Sequence, residues 1–137
     1  MIQQTIYITQ VDAEKLRDLL REAELGGYRG SSYLKQLKDE LQRAIIVEPQ
    51  QVPADVITMR STALLKDIEA GEEMTYTLVF PEDADPGQGR ISVMAPIGTG
   101  MLGVKAGETF EWETPSGKRT IRVEKILFQP EASGDFS

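Results

Sequence analysis

Two different periodicities divide this chain. Near the start, Ile2, Ile6 and Ile8 alternate with polar neighbours, the period of a short strand. Thr9 and Asp12 then stand three apart ahead of an apolar run, a helix-start pattern resembling a capping box with aspartate as its acid. Val11, Leu16, Leu19, Leu20 and Ala23 follow at helical spacing. The segment GGYRGSS, Gly26 to Ser32, breaks that helix, and Ser31 or Ser32 can cap a second one. Its stripe is Leu34, Leu37, Leu41, Ala44 and Ile45. Two stripes joined by a short glycine-rich turn predict an antiparallel helical hairpin.

At VEPQQVPAD, Val47 to Asp55, two prolines end the second helix and stiffen a linker. Beyond it the period changes to two. Strands are expected over Val56–Thr62 and Ala63–Ile68, then where Met74, Tyr76, Leu78 and Phe80 alternate with threonines. PEDADPGQG, Pro81 to Gly89, reads as a polar loop, and Ile91–Met94 as a short strand. Phe110 and Trp112 begin a hairpin that turns at Thr114–Lys118 and returns along Arg119–Phe128. In that last strand the apolar residues switch parity between Val123 and Ile126, which predicts a β-bulge near Glu124–Lys125. The tail QPEASGDFS is polar and expected to be loosely held.

Composition narrows the chemistry. The 137 residues include no cysteine and no histidine. That removes thiolate and imidazole metal ligands and every Ser-His or Cys-His dyad. The net charge of −7 opposes direct binding to a phosphate backbone, so nucleic acid is not an expected partner. No apolar run approaches the ~20 residues of a membrane span, and the first twelve residues lack the pattern of a secretory signal. A cytoplasmic protein with no membrane partner is the expectation.

One motif invites a different idea. Gly98, Gly100 and Gly103 stand in the G-x-G-x-x-G spacing of a dinucleotide-binding turn. Such a turn needs a following crossover helix, yet Gly107 stops any helix within a turn of Gly103. The stretch instead predicts a short helix over Pro96–Leu102. Pro96 suits its first turn, Gly103 its C-terminal cap, and Ile97, Met101 and Leu102 its buried face. No cofactor is expected.

The region Ile91–Ile126 resembles the C-terminal domain of the bacterial Gre transcript-cleavage factors. Ile91, Ser92, Pro96, Ile97, Leu102, Gly103, Gly107, Thr114, Pro115 and Gly117 match that family's pattern, while Ala95 and Glu108 replace its serine and aspartate. AIIVEPQQVPADVITMRS and GEEMTYTLVFPEDAD extend the resemblance to nearly the whole chain and point to a short-armed branch of the family. It implies an α+β protein, a short antiparallel coiled-coil hairpin followed by an FKBP-like antiparallel β-sheet domain with one short helix. The expected division is 1–48 for the N-terminal strand and hairpin, 49–55 for the linker and 56–137 for the Gre-type domain.

The resemblance also implies a partner, RNA polymerase, approached at its secondary channel, and a transcription regulator with no catalysis of its own. By the family's pattern the docking loop is Met94, Ala95, Pro96 and Ile97. In Gre factors a long arm carries two acids to the polymerase's catalytic metal. Here Glu22 and Glu24 precede the hairpin turn, with Tyr28 and Arg29 at the tip. Two residues apart on a helix, Glu22 and Glu24 point to different sides, and Arg21 and Arg29 oppose a metal. The hairpin is also short, so transcript cleavage is not expected. Cleavage through the tip acids and an FKBP-like prolyl isomerase or peptide-binding module are the alternatives. Glu69, Glu72 and Glu73, and Glu82, Asp83 and Asp85, lack EF-hand spacing and read as solvated loop charge, so no metal site is expected.

Overall fold

The computed structural model describes residues 5–28 and 32–136. Strand β1 (Tyr7–Thr9) leads directly into helix α1 (Gln10–Ala23). The Thr9 hydroxyl accepts the Asp12 N–H at 3.1 Å, so the N-cap forms as the spacing requires. A wide turn of π-helical geometry, Glu24–Tyr28, leaves α1, and α2 (Ser32–Arg43) returns antiparallel to it. Leu16, Leu20 and Ala23 of α1 and Leu34, Leu37 and Leu41 of α2 are buried, as their spacing predicts.

The second helix ends earlier than its stripe implies. Ile45–Val47 form strand β2, which pairs parallel to β1, with Tyr7 opposite Ile45. Ile45 is 47% exposed, so it does not extend the buried stripe of α2. β-branched residues such as Ile45, Ile46 and Val47 favour a strand once a neighbouring edge is on offer. The hairpin is thus the crossover between two parallel strands, and those strands clamp its base.

The sheet body contains β3 (Thr62–Asp67), β4 (Glu73–Val79), β5 (Arg90–Ser92), β6 (Thr109–Thr114) and β7 (Gly117–Phe128), in the order β5-β4-β3-β7-β6. All neighbours are antiparallel except β4 and β5, a parallel pair that departs from the all-antiparallel expectation. The bulge lies where parity changed. Leu64 faces Lys125 while Leu65 faces Val123, which leaves Glu124 as the extra residue. A second shift, at Leu127, has no parity signal.

Two further expectations fail. Residues 57–61 are not a strand; they cross between the arm and the sheet and bond to several elements. The tail is not loose. Gln129 is 3% exposed and its amide nitrogen donates to the carbonyls of Pro53 and Val56, each at 2.8 Å. Glu131 accepts from the Thr58 hydroxyl at 2.7 Å. A polar segment is held by hydrogen bonds where it has no apolar face to bury.

One hydrophobic cluster runs through both parts. Ile6, Leu16 and Leu37 from the hairpin join Ile57, Leu65, Met101 and Val123 from the sheet side. Among the described residues no helix is long and apolar enough to cross a membrane.

Candidate functional site

Helix α3 (Pro96–Met101) presents the first candidate surface. Pro96 occupies its first turn and Gly103, at φ +79°, follows its end, both as the sequence predicts. The three glycines of the dinucleotide-like motif are all used by packing. A Cβ on Gly98 would lie 2.0 Å from the Ser92 carbonyl oxygen, and one on Gly103 would lie 2.7 Å from Ile6 Cβ. Gly100 lies under the Phe110 ring. Close approach, not a phosphate, explains the spacing.

The loop before α3 is tightly fixed. Ser92 Oγ accepts the Met94 N–H at 3.1 Å, and the Ala95 N–H donates to the Ser92 carbonyl at 3.0 Å. Buried Thr99 donates its hydroxyl to the Val93 carbonyl at 2.6 Å. Ser92 and Thr99 therefore shape this loop. The sequence singled out neither for that role, although a serine at a strand end and a threonine between two glycines were the available signals. Of the four loop residues, Met94, Ala95 and Pro96 are half-buried and reach the surface. Ile97 is 6% exposed, so its side chain is buried beneath the loop rather than at the surface.

The hairpin tip is the second candidate. Glu22 is exposed and lines an open cleft of about 400 Å³ with Lys15, Leu19, Arg60, Phe80, Glu82 and Asp83. Glu24 forms an exposed ion pair across the hairpin with Lys38 at 3.4 Å. The two acids thus face different surroundings and do not converge. Leu25, which the sequence argument passed over, is 83% exposed. Tyr28 closes the π-helical turn, and Arg29 lies outside the described residues. Among the described residues no group of three or more acidic side chains is placed to hold a metal ion.

The base of the hairpin has a different character. Asp12 is 4% exposed, and its Oδ2 accepts the Met59 N–H at 3.1 Å. The expected capping box is therefore only half formed locally, and its acid reaches across to the 58–61 loop. Burial pushes the Asp12 carboxyl up to about 6, against the Met59 hydrogen bond; Glu131 raises it further, while Lys15 and Arg60 lower it. Asp67 behaves oppositely. The Ala70 N–H, followed by the Arg119 guanidinium at 2.9 Å, holds its carboxyl below the usual range.

The family model described as "Transcription elongation factor, GreA/GreB, C-term" matches residues 52–128, and one described as "Rnk N-terminus" matches residues 4–47. The regulator of nucleoside diphosphate kinase from Escherichia coli (strain K12) is 36% identical over 137 residues, covering 99% of this chain and 98% of that protein. The chain belongs to the GreA/GreB family, in its Rnk branch. Transcription elongation factor GreA of Sulfurovum sp. (strain NBC37-1) is 32% identical over 86% of this chain and 76% of its own length. A solved prokaryotic transcription elongation factor GreA/GreB from Nitrosomonas europaea superposes with a TM-score of 0.74 at 33% identity, covering 92% of this chain and 100% of that one. The Gre-like fold expected from the motif at Ile91–Ile126 is thereby established for this member of the Rnk branch.

Proposed function

We propose that this protein is a non-enzymatic transcription regulator that binds RNA polymerase at or near its secondary channel and does not stimulate transcript cleavage. The observation that carries this reading is the arm. At ~1.5 Å per residue, its helices of 14 and 12 residues reach only about 21 and 18 Å. At its tip Glu24 is occupied by Lys38, while Glu22 lies beside the cleft walled by Lys15 and Arg60. Two carboxylates must converge to help hold a catalytic metal, and these two do not. The chain spans nearly all of the E. coli regulator but 76% of the Sulfurovum GreA.

In this reading residues 1–48 form the arm, 49–55 the linker and 56–137 the docking body. Met94, Ala95 and Pro96 make the polymerase contact, held out by Ser92 and Thr99. The Gly98–Gly103 segment is not free to cradle a nucleotide's phosphates, since the space beside Gly98, Gly100 and Gly103 is filled by packing. An effect on nucleoside diphosphate kinase, of the kind named for the E. coli relative, would then act through transcription.

Co-elution with core RNA polymerase, with and without a competing Gre factor, tests the docking. Co-elution that the competitor displaces supports it, and no association at micromolar concentration rejects it. A stalled elongation complex with bound factor should release no cleaved transcript. Cleavage lost on Glu22→Ala or Glu24→Ala would overturn the non-enzymatic half of the proposal.

A further inference from the structure

The seat of the arm on the body is built around polar groups inside an otherwise apolar junction. Asp12 of α1 accepts the Met59 N–H. The loop that supplies this N–H is held from two other sides. Thr58 Oγ1 lies 2.8 Å from Ser61 Oγ and donates to Glu131 Oε1 at 2.7 Å, and the Arg60 N–H donates to the Leu78 carbonyl at 2.6 Å. Arg60 adopts a left-handed backbone, φ 70°, which is costly for a residue with a Cβ, and its guanidinium pairs with Asp135 at 3.4 Å. The 58–61 loop is therefore fixed with respect to the sheet and the tail, and Asp12 attaches the arm to it.

We propose that Asp12 makes the seating of the helical hairpin on the sheet body proton-linked: the neutral acid keeps the arm seated, and ionisation favours release of its base from the 58–61 loop. The charged and titratable groups facing Asp12 are Lys15 from its own helix, Arg60 from the loop and Glu131 from the tail, with Asp135 engaged by Arg60. Glu131 is acidic, and Arg60 is already shared with Asp135. A charge on Asp12 is thus only partly compensated, and the junction excludes water from it. The Met59 N–H can be accepted by either protonation state, so neutralising the acid removes the cost of the charge and keeps the bond.

The linkage has a definite sign. A carboxyl raised from 3.8 to about 6 on seating binds its proton more tightly in the seated form than in the open one. The contribution to seating is therefore complete below pH 3.8 and is lost as pH rises through about 6. A shift of that size corresponds to an open population on the order of a hundredfold larger at pH 8 than at pH 4. This inference concerns the joint itself and does not depend on the polymerase reading.

The test is the full chain measured from pH 4 to pH 8 by two observables. One is the protection of the Met59 amide from hydrogen exchange, corrected for the intrinsic pH dependence of exchange. The other is the carboxyl chemical shift of Asp12. Wild-type protection should fall on the order of a hundredfold across this range, with a carboxyl midpoint near pH 6. Asp12→Asn should keep the Met59 bond through its side-chain oxygen and show protection that is flat with pH and at least as high as wild type at pH 8. Glu131→Gln should lower the midpoint without abolishing the transition. An Asp12 midpoint near 4, flat wild-type protection, or an Asp12→Asn profile that still follows pH would each overturn the proposal. The carboxyl titration needs no variant, so a poorly folding Asp12→Asn protein would not shield it.

Discussion

The two ends of the hairpin are built on opposite terms. At the base, β1 pairs with β2, Gly103 lets the body approach Ile6 to contact, Lys105 lies 5.3 Å above the Tyr7 ring, and Asp12 bonds to Met59. At the tip, nine residues beyond fully buried Leu16, Leu25 is 83% exposed and a solvent-facing ion pair, Glu24 to Lys38, links the two helices. The arm thus passes from a base whose inward residues pack on the body to a tip whose Glu24 and Leu25 face solvent. The difference separates what holds the arm in place from what the arm presents. Substitutions at the base should register as stability, and substitutions at the tip should register only in partner binding.

The strongest way to break that contrast is at Leu16. It is 0% exposed and belongs to the core shared by hairpin and sheet. Leu16→Ala should cost about 2–5 kcal/mol in urea unfolding, from lost burial and the cavity left behind. A loss under about 1 kcal/mol would mean that the hairpin packs on the body far less tightly than its burial indicates.

Next in size is Gly103→Ala. The residue has φ +79°, and an added Cβ would lie 2.7 Å from Ile6 Cβ. Strain in the backbone and the overlap with β1 together should cost about 2 kcal/mol in the same assay. Gly71 is the matching control. It shares the positive φ, at 73°, but nothing lies within 4 Å of its missing Cβ, so Gly71→Ala should show the backbone part alone. Equal losses at the two positions would remove the contact with Ile6 from the account.

Much of this architecture is written in local pattern. Thr9, the leucine stripes, Pro96 with Gly103, and the parity change around Glu124 each encode a feature within a few residues of themselves, and each appears where the spacing put it. The features that eluded the sequence depend on partners far along the chain. Ile45 fits a helical stripe until β1 supplies an edge. Asp12 looks like an ordinary capping acid until the Met59 N–H, 47 residues away, donates a hydrogen bond to it. The tail looks loose because its anchors, Gln129 and Glu131, are polar and their partners lie more than 70 residues back. The short helix that follows the Met94–Pro96 loop was legible from Pro96 and Gly103, whereas the inward turn of Ile97 and the bracing by Ser92 and Thr99 are properties of the assembled fold.

The smallest expected effect on stability is at the tip, and its smallness is the point. Leu25→Ser replaces an exposed side chain and removes little buried area, so unfolding should shift by no more than about 0.5 kcal/mol. Glu24→Ala deletes one partner of an exposed ion pair, a type of interaction worth only ~0.2–1 kcal/mol and weakened further by salt. If the arm enters a partner, the same Leu25→Ser change should weaken co-elution with core RNA polymerase, because an apolar side chain held in water gains most when a partner covers it. A tip variant that binds normally but unfolds easily would reverse the assignment, making the tip structural and leaving the Met94–Pro96 loop to carry recognition alone. A tip variant that folds normally and binds poorly would show that the rigid base exists to aim an end that contributes almost nothing to holding the protein together.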